Sequence, residues 1–232
     1  FQTPVIVLSD LDLGMNDWIT PPFQYPPEPI NRGKILWEEE LIKLMERNGG
    51  TWNRYEDVDG DYIPYRTVPG NLHPNSAFFT RGTGHDEKAQ YSESPEVWER
   101  IHQRIKQKVL SSKNRLPTPI LHRKAEPKAG VISYGSNDAP VMECCEHLSA
   151  EGFNCDYLRI RSIPFNKDVR DFLSMHDEVF IIEANRDGQM AQILRMNYPE
   201  YALRICSIAH MDGLPLSAEW IEKEIRTNRM KK

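Results

Sequence analysis

Apolar positions along this chain fall into two regimes. From residue 130 onward, short apolar runs alternate with helical stripes. "GVISYGS" reads as a strand, "APVMECCEHLSAEG" as a helix stopped by glycine, "CDYLRIRSI" as a strand, "NKDVRDFLSMH" as a helix and "DEVFIIEAN" as a strand. "GQMAQILRMNYPE" then gives a helix, "ALRICSIA" a strand and "SAEWIEKEIRTNRM" a capped terminal helix. Elements alternating at this spacing predict right-handed crossovers and a three-layer α/β domain with a mostly parallel sheet.

Before residue 130 the pattern is sparse. Residues 4–9, "PVIVLS", form a continuous β-branched run, as in a strand buried on both faces. "DLDLGMNDWIT" follows as a turn or short helical segment, and "PPFQYPPEPINRGK" holds five of the seventeen prolines and excludes regular structure. Residues 35–47 place Ile35, Leu36, Leu41, Leu44 and Met45 at helical spacing, in a helix or in a loop with a short helix. Residues 48–95 have little periodicity, and so long an irregular stretch in a compact domain is usually functional or covered by a partner. A helix then starts at Pro95, with Ser94 as its cap and Val97, Ile101, Ile105 and Val109 as its stripe. "SSKNRLPTPILHRKAEPKA" reads as a linker.

Composition narrows the function classes. In 232 residues, 39% hydrophobic and 27% charged content with a net charge of −5 describe a globular chain with spread charge. No basic stripe argues for nucleic acid, and the cationic "RTNRMKK" suits a helix C-terminus. No apolar run approaches the roughly 20 residues that span a bilayer. The opening "FQTPVIVLSDLDLG" carries no charged leader and reads as a cut inside a longer polypeptide. Cys144, Cys145, Cys155 and Cys206 show no C-x-x-C spacing, so metal ligation by this chain is not expected and reduced cytoplasmic thiols are.

Several polar groups invite chemistry. In "DVDGDY", Asp57, Asp59 and Asp61 take the first three ligand positions of an EF-hand, but Tyr62 and Val68 stand where its glycine and glutamate belong, so a tight acidic turn is expected. Arg66, between Tyr65 and a Pro-Gly turn, is either a carboxylate or phosphate clamp or a salt bridge to a nearby aspartate. Gly135, Ser136 and Asn137 lead from a strand into a helix, where free N–H groups favour an anion; the alternative is a turn capped by Asn137 or Asp138. Glu183, Asn185 and Gln189 stand at the carboxyl edge of the predicted sheet, where ligands or partner chains sit, or else bond the neighbouring loop backbone. The stretch "SAFFTRGTGHDEKAQ" gathers Thr80, Arg81, Thr83, His85, Asp86 and Glu87 around Gly82 and Gly84.

Together, "PVIVLSDLDLG", "RTVPG", "AFFTRGTGHDE" followed by "YSESPEV", "SYGS" and "FIIEANRDGQMAQILR" resemble the α subunit of 2-oxoacid:ferredoxin oxidoreductases, and within it the 2-oxoglutarate branch. The resemblance covers the whole chain but only the C-terminal part of that subunit. It implies that residues 1–20 end a thiamine-diphosphate pyrimidine-binding domain, that residues 21–127 are an irregular segment reaching the active site, with a helix and linker, and that residues 128–232 form a transketolase C-terminal-like domain. It also implies oxidative decarboxylation of a 2-oxoacid to acyl-CoA, with CoA as co-substrate and ferredoxin as acceptor. Thiamine diphosphate carries the carbanion chemistry and an iron–sulfur cluster the electrons. The diphosphate's Mg²⁺ and the cluster would belong to a β subunit carrying the pyrophosphate-binding domain.

Arg66 maps to the family's substrate-carboxylate contact, and Gly82, Thr83, His85 and Asp86, with Arg81 before them, to its Gly-Thr-x-His-Asp run. The departure from the Thr-Gly-x-Glu-His-Asp form leaves open whether Thr80 or Thr83 faces the 2-oxo group. Arg81 either meets a distal carboxylate or pairs with Asp86 or Glu87. No catalytic residue is expected in this portion, which alone would not turn over. The alternative is a non-catalytic α/β ligand-binding or subunit-assembly module.

Overall fold

The computed structural model describes residues 1–17, 19–80 and 82–230. In chain order the elements are helix α1 (Leu11–Met15), strand β1 (Ile35–Leu36), α2 (Glu38–Arg47), β2 (Arg66–Thr67), α3 (Pro95–Ser112), β3 (Ile120–His122), β4 (Ala129–Tyr134) and α4 (Asp138–Ala150). Then follow β5 (Cys155–Ile160), α5 (Lys167–Met175), β6 (Val179–Glu183), α6 (Gln189–Asn197), β7 (Ile205–Ala209) and α7 (Ala218–Met230). The chain divides into two compact units. One holds Phe1–Ile6 and Pro21–Arg115, the other Val7–Thr20 and Leu116–Lys232.

The second unit is the α/β domain the periodicity predicts. Its five-stranded sheet has the order β3-β5-β4-β6-β7, parallel except for the antiparallel edge strand β3. Alternation along the strands feeds two cores. Val131, Tyr157, Phe180 and Ile182 pack with α4 and α7 through Val141, Leu148, Ile221 and Ile225. On the other face Ile132, Leu158, Val179 and Ile181 meet Val169, Phe172, Ala191 and Leu194 of α5 and α6. Each fully buried side chain of this size contributes about 1.5–3 kcal/mol. Gly130 is required by packing: a Cβ there would lie 2.7 Å from Phe172 Cε1 and 3.1 Å from His176 Cγ. Residues 111–129, expected to be a linker, instead supply β3, whose three residues pair with Tyr157, Leu158 and Arg159.

The "PVIVLS" expectation fails. No strand forms there, and Val5, Ile6, Val7 and Leu8 are all more than 80% exposed. A strand needs a neighbour for its ladder hydrogen bonds, and among the described residues none lies beside this segment.

The first unit is smaller and less regular. Ile35 and Leu36 are not helical but pair in parallel with Arg66 and Thr67, so α2 begins only at Glu38. Glu40 accepts the Trp37 N–H at 3.2 Å across its first turn. Leu36, Leu41 and Leu44 make a small core, flanked by Trp52, Val58 and Tyr65. Ser94 Oγ caps α3 by accepting the Val97 N–H. Of its predicted stripe only Ile101 is buried, while Ile105 and Val109 stay exposed. No helix of the described residues is long and apolar enough to cross a membrane.

Candidate functional site

The acidic turn has an internal cation. Asp57 accepts the N–H groups of Asp61 and Tyr62 at 3.1 and 2.9 Å, closing the turn. Lys34 Nζ lies 2.7 Å from both Asp59 and Asp61. Burial opposes the Lys34 charge, but its bonds to the two carboxylates prevail and hold the ammonium above its usual range. The hydrogen bond from Lys34 likewise holds Asp59 below its own.

With these aspartates engaged by Lys34 and by backbone, Arg66 has no carboxylate within ion-pair distance among the described residues. Its Nη2 donates to the Arg32 carbonyl at 3.3 Å, and its Nε is buried without a partner. Parallel pairing with Ile35 and an N–H bond to the Lys34 carbonyl at 2.9 Å fix its backbone. The geometry is therefore that of an anchored guanidinium with unmet donors, not of a structural salt bridge.

The 76–90 loop is organised by Arg54 and Tyr55, which sequence reasoning did not single out. The Arg54 guanidinium lies 4.8 Å from the Tyr55 ring and 5.1 Å from Phe78, within cation–π range of both. It also donates to the Tyr65 carbonyl at 3.2 Å and to Gln2 Oε1 at 2.8 Å. Tyr55 in turn stacks on His85 at 4.0 Å. Arg54 thus ties the residue next to Arg66 to the loop that carries His85.

Within the loop, His85 Nδ1 donates to the Asp86 carbonyl at 3.0 Å. Asp86 Oδ1 accepts the N–H groups of Lys88 and Gln90 at 2.9 and 2.8 Å, closing a local turn. Glu87 pairs with Arg100 at 3.1 Å. Thr80, Gly82 and Thr83 are exposed. Arg81 lies outside the described residues. Gly84 serves packing: a Cβ there would sit 2.3 Å from Trp98 Nε1 and 2.4 Å from the Ser92 carbonyl oxygen. Gly84→Ala is expected to cost about 1–3 kcal/mol by overpacking. Urea unfolding followed by tryptophan fluorescence reads this directly, and an unchanged midpoint would refute it.

In the α/β unit the predicted anion turn is filled from within the chain. Gly135 has φ +66°, and the Ser136 N–H donates to Asp10 Oδ2 at 3.1 Å. Asp10 also accepts the Leu13 N–H at 2.9 Å and caps α1. Burial works against this carboxylate, yet the Leu13 and Ser136 bonds hold it below its usual range. Asn137 is buried and makes no side-chain cap. Asp138 is not the cap either: its carboxylate takes the Tyr157 hydroxyl at 2.8 Å and Arg159 Nη1 at 2.9 Å.

At the next strand end Glu183 is fully buried and accepts the N–H groups of Met190 and Ala191 at 2.9 and 3.1 Å. Burial first, then the Glu183 charge, pushes the neighbouring Tyr134 phenol up to about 12. Asn185 Oδ1 accepts the Asp187 N–H at 2.8 Å, and its Nδ2 donates to Gln189 Oε1 at 3.0 Å. These contacts are with the first turn of α6 and, through Asp187, with the loop before it. Cys144 and Cys145 are on the buried face of α4, and burial pushes both thiols up to about 12, away from reactivity.

No family model matches the chain. It is 29% identical over 226 residues to "2-oxoacid:ferredoxin oxidoreductase 2, subunit alpha" of Aeropyrum pernix, covering 93% of this chain and 32% of that protein. To the 2-oxoacid:ferredoxin oxidoreductase subunit alpha of Saccharolobus solfataricus it is 25% identical over 204 residues, covering 85% and 30%. Among solved structures it is similar to the 2-oxoglutarate:ferredoxin oxidoreductase from Magnetococcus marinus with 2-oxoglutarate, coenzyme A and succinyl-CoA bound. There the TM-score is 0.68 at 25% identity, over 77% of this chain and 31% of that one. The chain thus spans about a third of the length of the curated relatives it matches.

Proposed function

We propose that this chain is the C-terminal portion of the α subunit of a cytoplasmic 2-oxoacid:ferredoxin oxidoreductase. In this reading it takes part in the oxidative decarboxylation of a 2-oxoacid, with 2-oxoglutarate the favoured substrate, to acyl-CoA and reduced ferredoxin. The observation that carries the reading is the 226-residue match to an α subunit of that name. Residues 1–20 then complete a thiamine-diphosphate pyrimidine-binding domain, which the exposure of Val5, Ile6, Val7 and Leu8 supports.

The residues described do not fit a resident metal or cluster. No three His, Cys, Asp or Glu side chains among them gather as a metal-holding group, and Cys144, Cys145 and Cys155 are buried in the α/β core. In the proposed complex, thiamine diphosphate, Mg²⁺ and the iron–sulfur cluster are carried by other parts, including a β subunit, as the resemblance to the family implies. What this chain supplies is binding and orientation. The unmet donors of Arg66 suit the planar, bidentate recognition of a carboxylate, and the 80–86 loop closes over the oxoacid. Tyr55 and Arg54 hold the His85 side of that loop in place.

Arg66→Lys in the full α/β complex tests the assignment. A lysine keeps the charge but loses the fork, so kcat/KM for 2-oxoglutarate is expected to fall tenfold or more, about 1.4 kcal/mol. Reduction of a viologen dye provides the assay, and unchanged kinetics would remove Arg66 from the site. The 232-residue chain assayed alone is expected to be inactive; turnover without a second chain would overturn the proposal.

A further inference from the structure

One face of α3 carries Arg100, Gln103, Arg104 and Gln107, and it borders a cleft of about 680 Å³ in the first unit. Tyr55 and Tyr62 line it as well, and Ile101 gives it an apolar floor. The volume lies in the range that holds small organic ligands.

Hydrogen-bond accounting in this cleft is one-sided. Four carboxylates line it, and each already has protein donors. Glu56 takes the Asn53 and Asn48 amides at 2.8 and 3.3 Å. Asp57 takes two backbone N–H groups of its turn, Asp86 takes those of Lys88 and Gln90, and Glu87 takes Arg100.

The donors are not matched in the same way. Arg104 gives Nη1 to the Tyr62 carbonyl at 3.0 Å, while its Nε is buried without a partner. No carboxylate lies within ion-pair distance of it among the described residues. The Gln103 and Gln107 amides and the Tyr55 and Tyr62 hydroxyls likewise make no hydrogen bond among the described residues. Arg54 and Lys108 add further positive charge nearby without a carboxylate partner of their own. Burial first, and then the Arg104 and Arg54 charges, hold the Lys108 ammonium below its usual range.

Asp57 and Glu87 act on the half-buried Arg104 at longer range, but its buried Nε still has no acceptor, and an unmet donor of this kind is costly unless something supplies one. We propose that the cleft binds an organic oxyanion, whose phosphoryl or carboxylate group pairs with Arg104 while Gln103, Gln107 and the tyrosine hydroxyls donate to its remaining oxygens. The proposal does not need the enzymatic reading above: its anion pairs with Arg104 rather than Arg66, although Tyr55 and Asp86 border this cleft as well as the 80–86 loop.

Calorimetric titration of the chain with pyrophosphate and with succinate, each against sodium chloride of matched ionic strength, tests it. Saturable binding of at least one oxyanion, with none for chloride, is expected. A response to pyrophosphate alone identifies a phosphoryl ligand, and a response to succinate alone a carboxylate. Arg104→Gln is expected to weaken binding tenfold or more. Gln107→Glu, which puts a fixed negative charge on the cleft wall without disturbing the backbone, should do the same and decides the question if Arg104→Gln fails to fold. Lys223→Gln on α7, outside the cleft unit, should bind as the parent does. The absence of saturable binding beyond the chloride control, or parental affinity in Gln107→Glu, would overturn the assignment.

Discussion

Replacing Asp156 by alanine is expected to lower the stability of the α/β unit by about 2–5 kcal/mol, the cost of taking a buried acceptor away from the donors it serves. Asp156 lies on β5 at 2% relative exposure, and His176, just beyond α5, at 4%. The carboxylate accepts the Lys124 N–H at 2.8 Å through Oδ1, and Arg123 Nη1 at 3.1 Å through Oδ2. His176 Nε2 lies 3.2 Å from the same Oδ2, and its Nδ1 lies 2.8 Å from the Phe172 carbonyl. Alanine therefore strands a backbone N–H and a ring nitrogen, each worth about 1–3 kcal/mol when buried and unmet. Asp156→Asn keeps an acceptor and should cost less than the alanine. Guanidinium unfolding monitored by circular dichroism measures both variants. A loss below about 1 kcal/mol for the alanine variant would show that the network contributes little.

This network also marks where sequence reasoning stops. "CDYLRIRSI" is legible as a strand because its apolar residues alternate, and the aspartate in it looks like a surface position. Nothing local says that His176, 20 residues later, turns back to meet it. The alternating elements after residue 130 were legible because each is bounded by local chemistry: Asn166 caps α5, and Gly152 at φ +81° follows α4. The two-residue pair β1 and β2 and the three-residue edge β3 were not, since their existence depends on partners about 30 or more residues away and on no internal period. "PVIVLS" shows the converse case. Its composition is that of a strand, but composition supplies no neighbour.

The candidate site was half legible. Residue type and flanking turn drew attention to Arg66, and the structure adds what sequence could not: Lys34 takes Asp59 and Asp61, leaving the guanidinium without them. Arg54 lies in an aperiodic stretch with no local signal, because its importance rests on two rings, a backbone carbonyl and an amide oxygen drawn from separate segments. Arg104 and Lys108 did carry a signal, lying four residues apart and hence on one face of α3. For Gly135 and Ser136 the sequence offers an anion site or a capped turn, and it cannot show that the acceptor of the Ser136 N–H is Asp10, 126 residues upstream in the same chain.

Glu183→Ala should rank with Asp156→Ala in effect, at about 2–5 kcal/mol, here at the start of a helix. Glu183 is the last residue of the fully buried strand β6, and its side chain runs to the N-terminus of α6. A helix start leaves N–H groups without intrahelical acceptors, and a carboxylate there also interacts favourably with the helix dipole. Each oxygen of Glu183 takes one such N–H, from Met190 and Ala191. Alanine removes both acceptors from a site that is 0% exposed, at about 1–3 kcal/mol for each donor left unmet. Glu183→Gln separates charge from shape: it retains one acceptor but turns an amide NH₂ toward a donor, so an intermediate loss is expected. Gly188 sets the geometry, since its φ of +62° and a would-be Cβ only 2.5 Å from Ser207 Oγ leave room for no larger residue at the start of α6. Hydrogen exchange provides the local readout. The Met190 and Ala191 amides should lose protection in Glu183→Ala well before the amides of β4, and equal protection in both would show that α6 is held by packing of Ala191 and Leu194 alone.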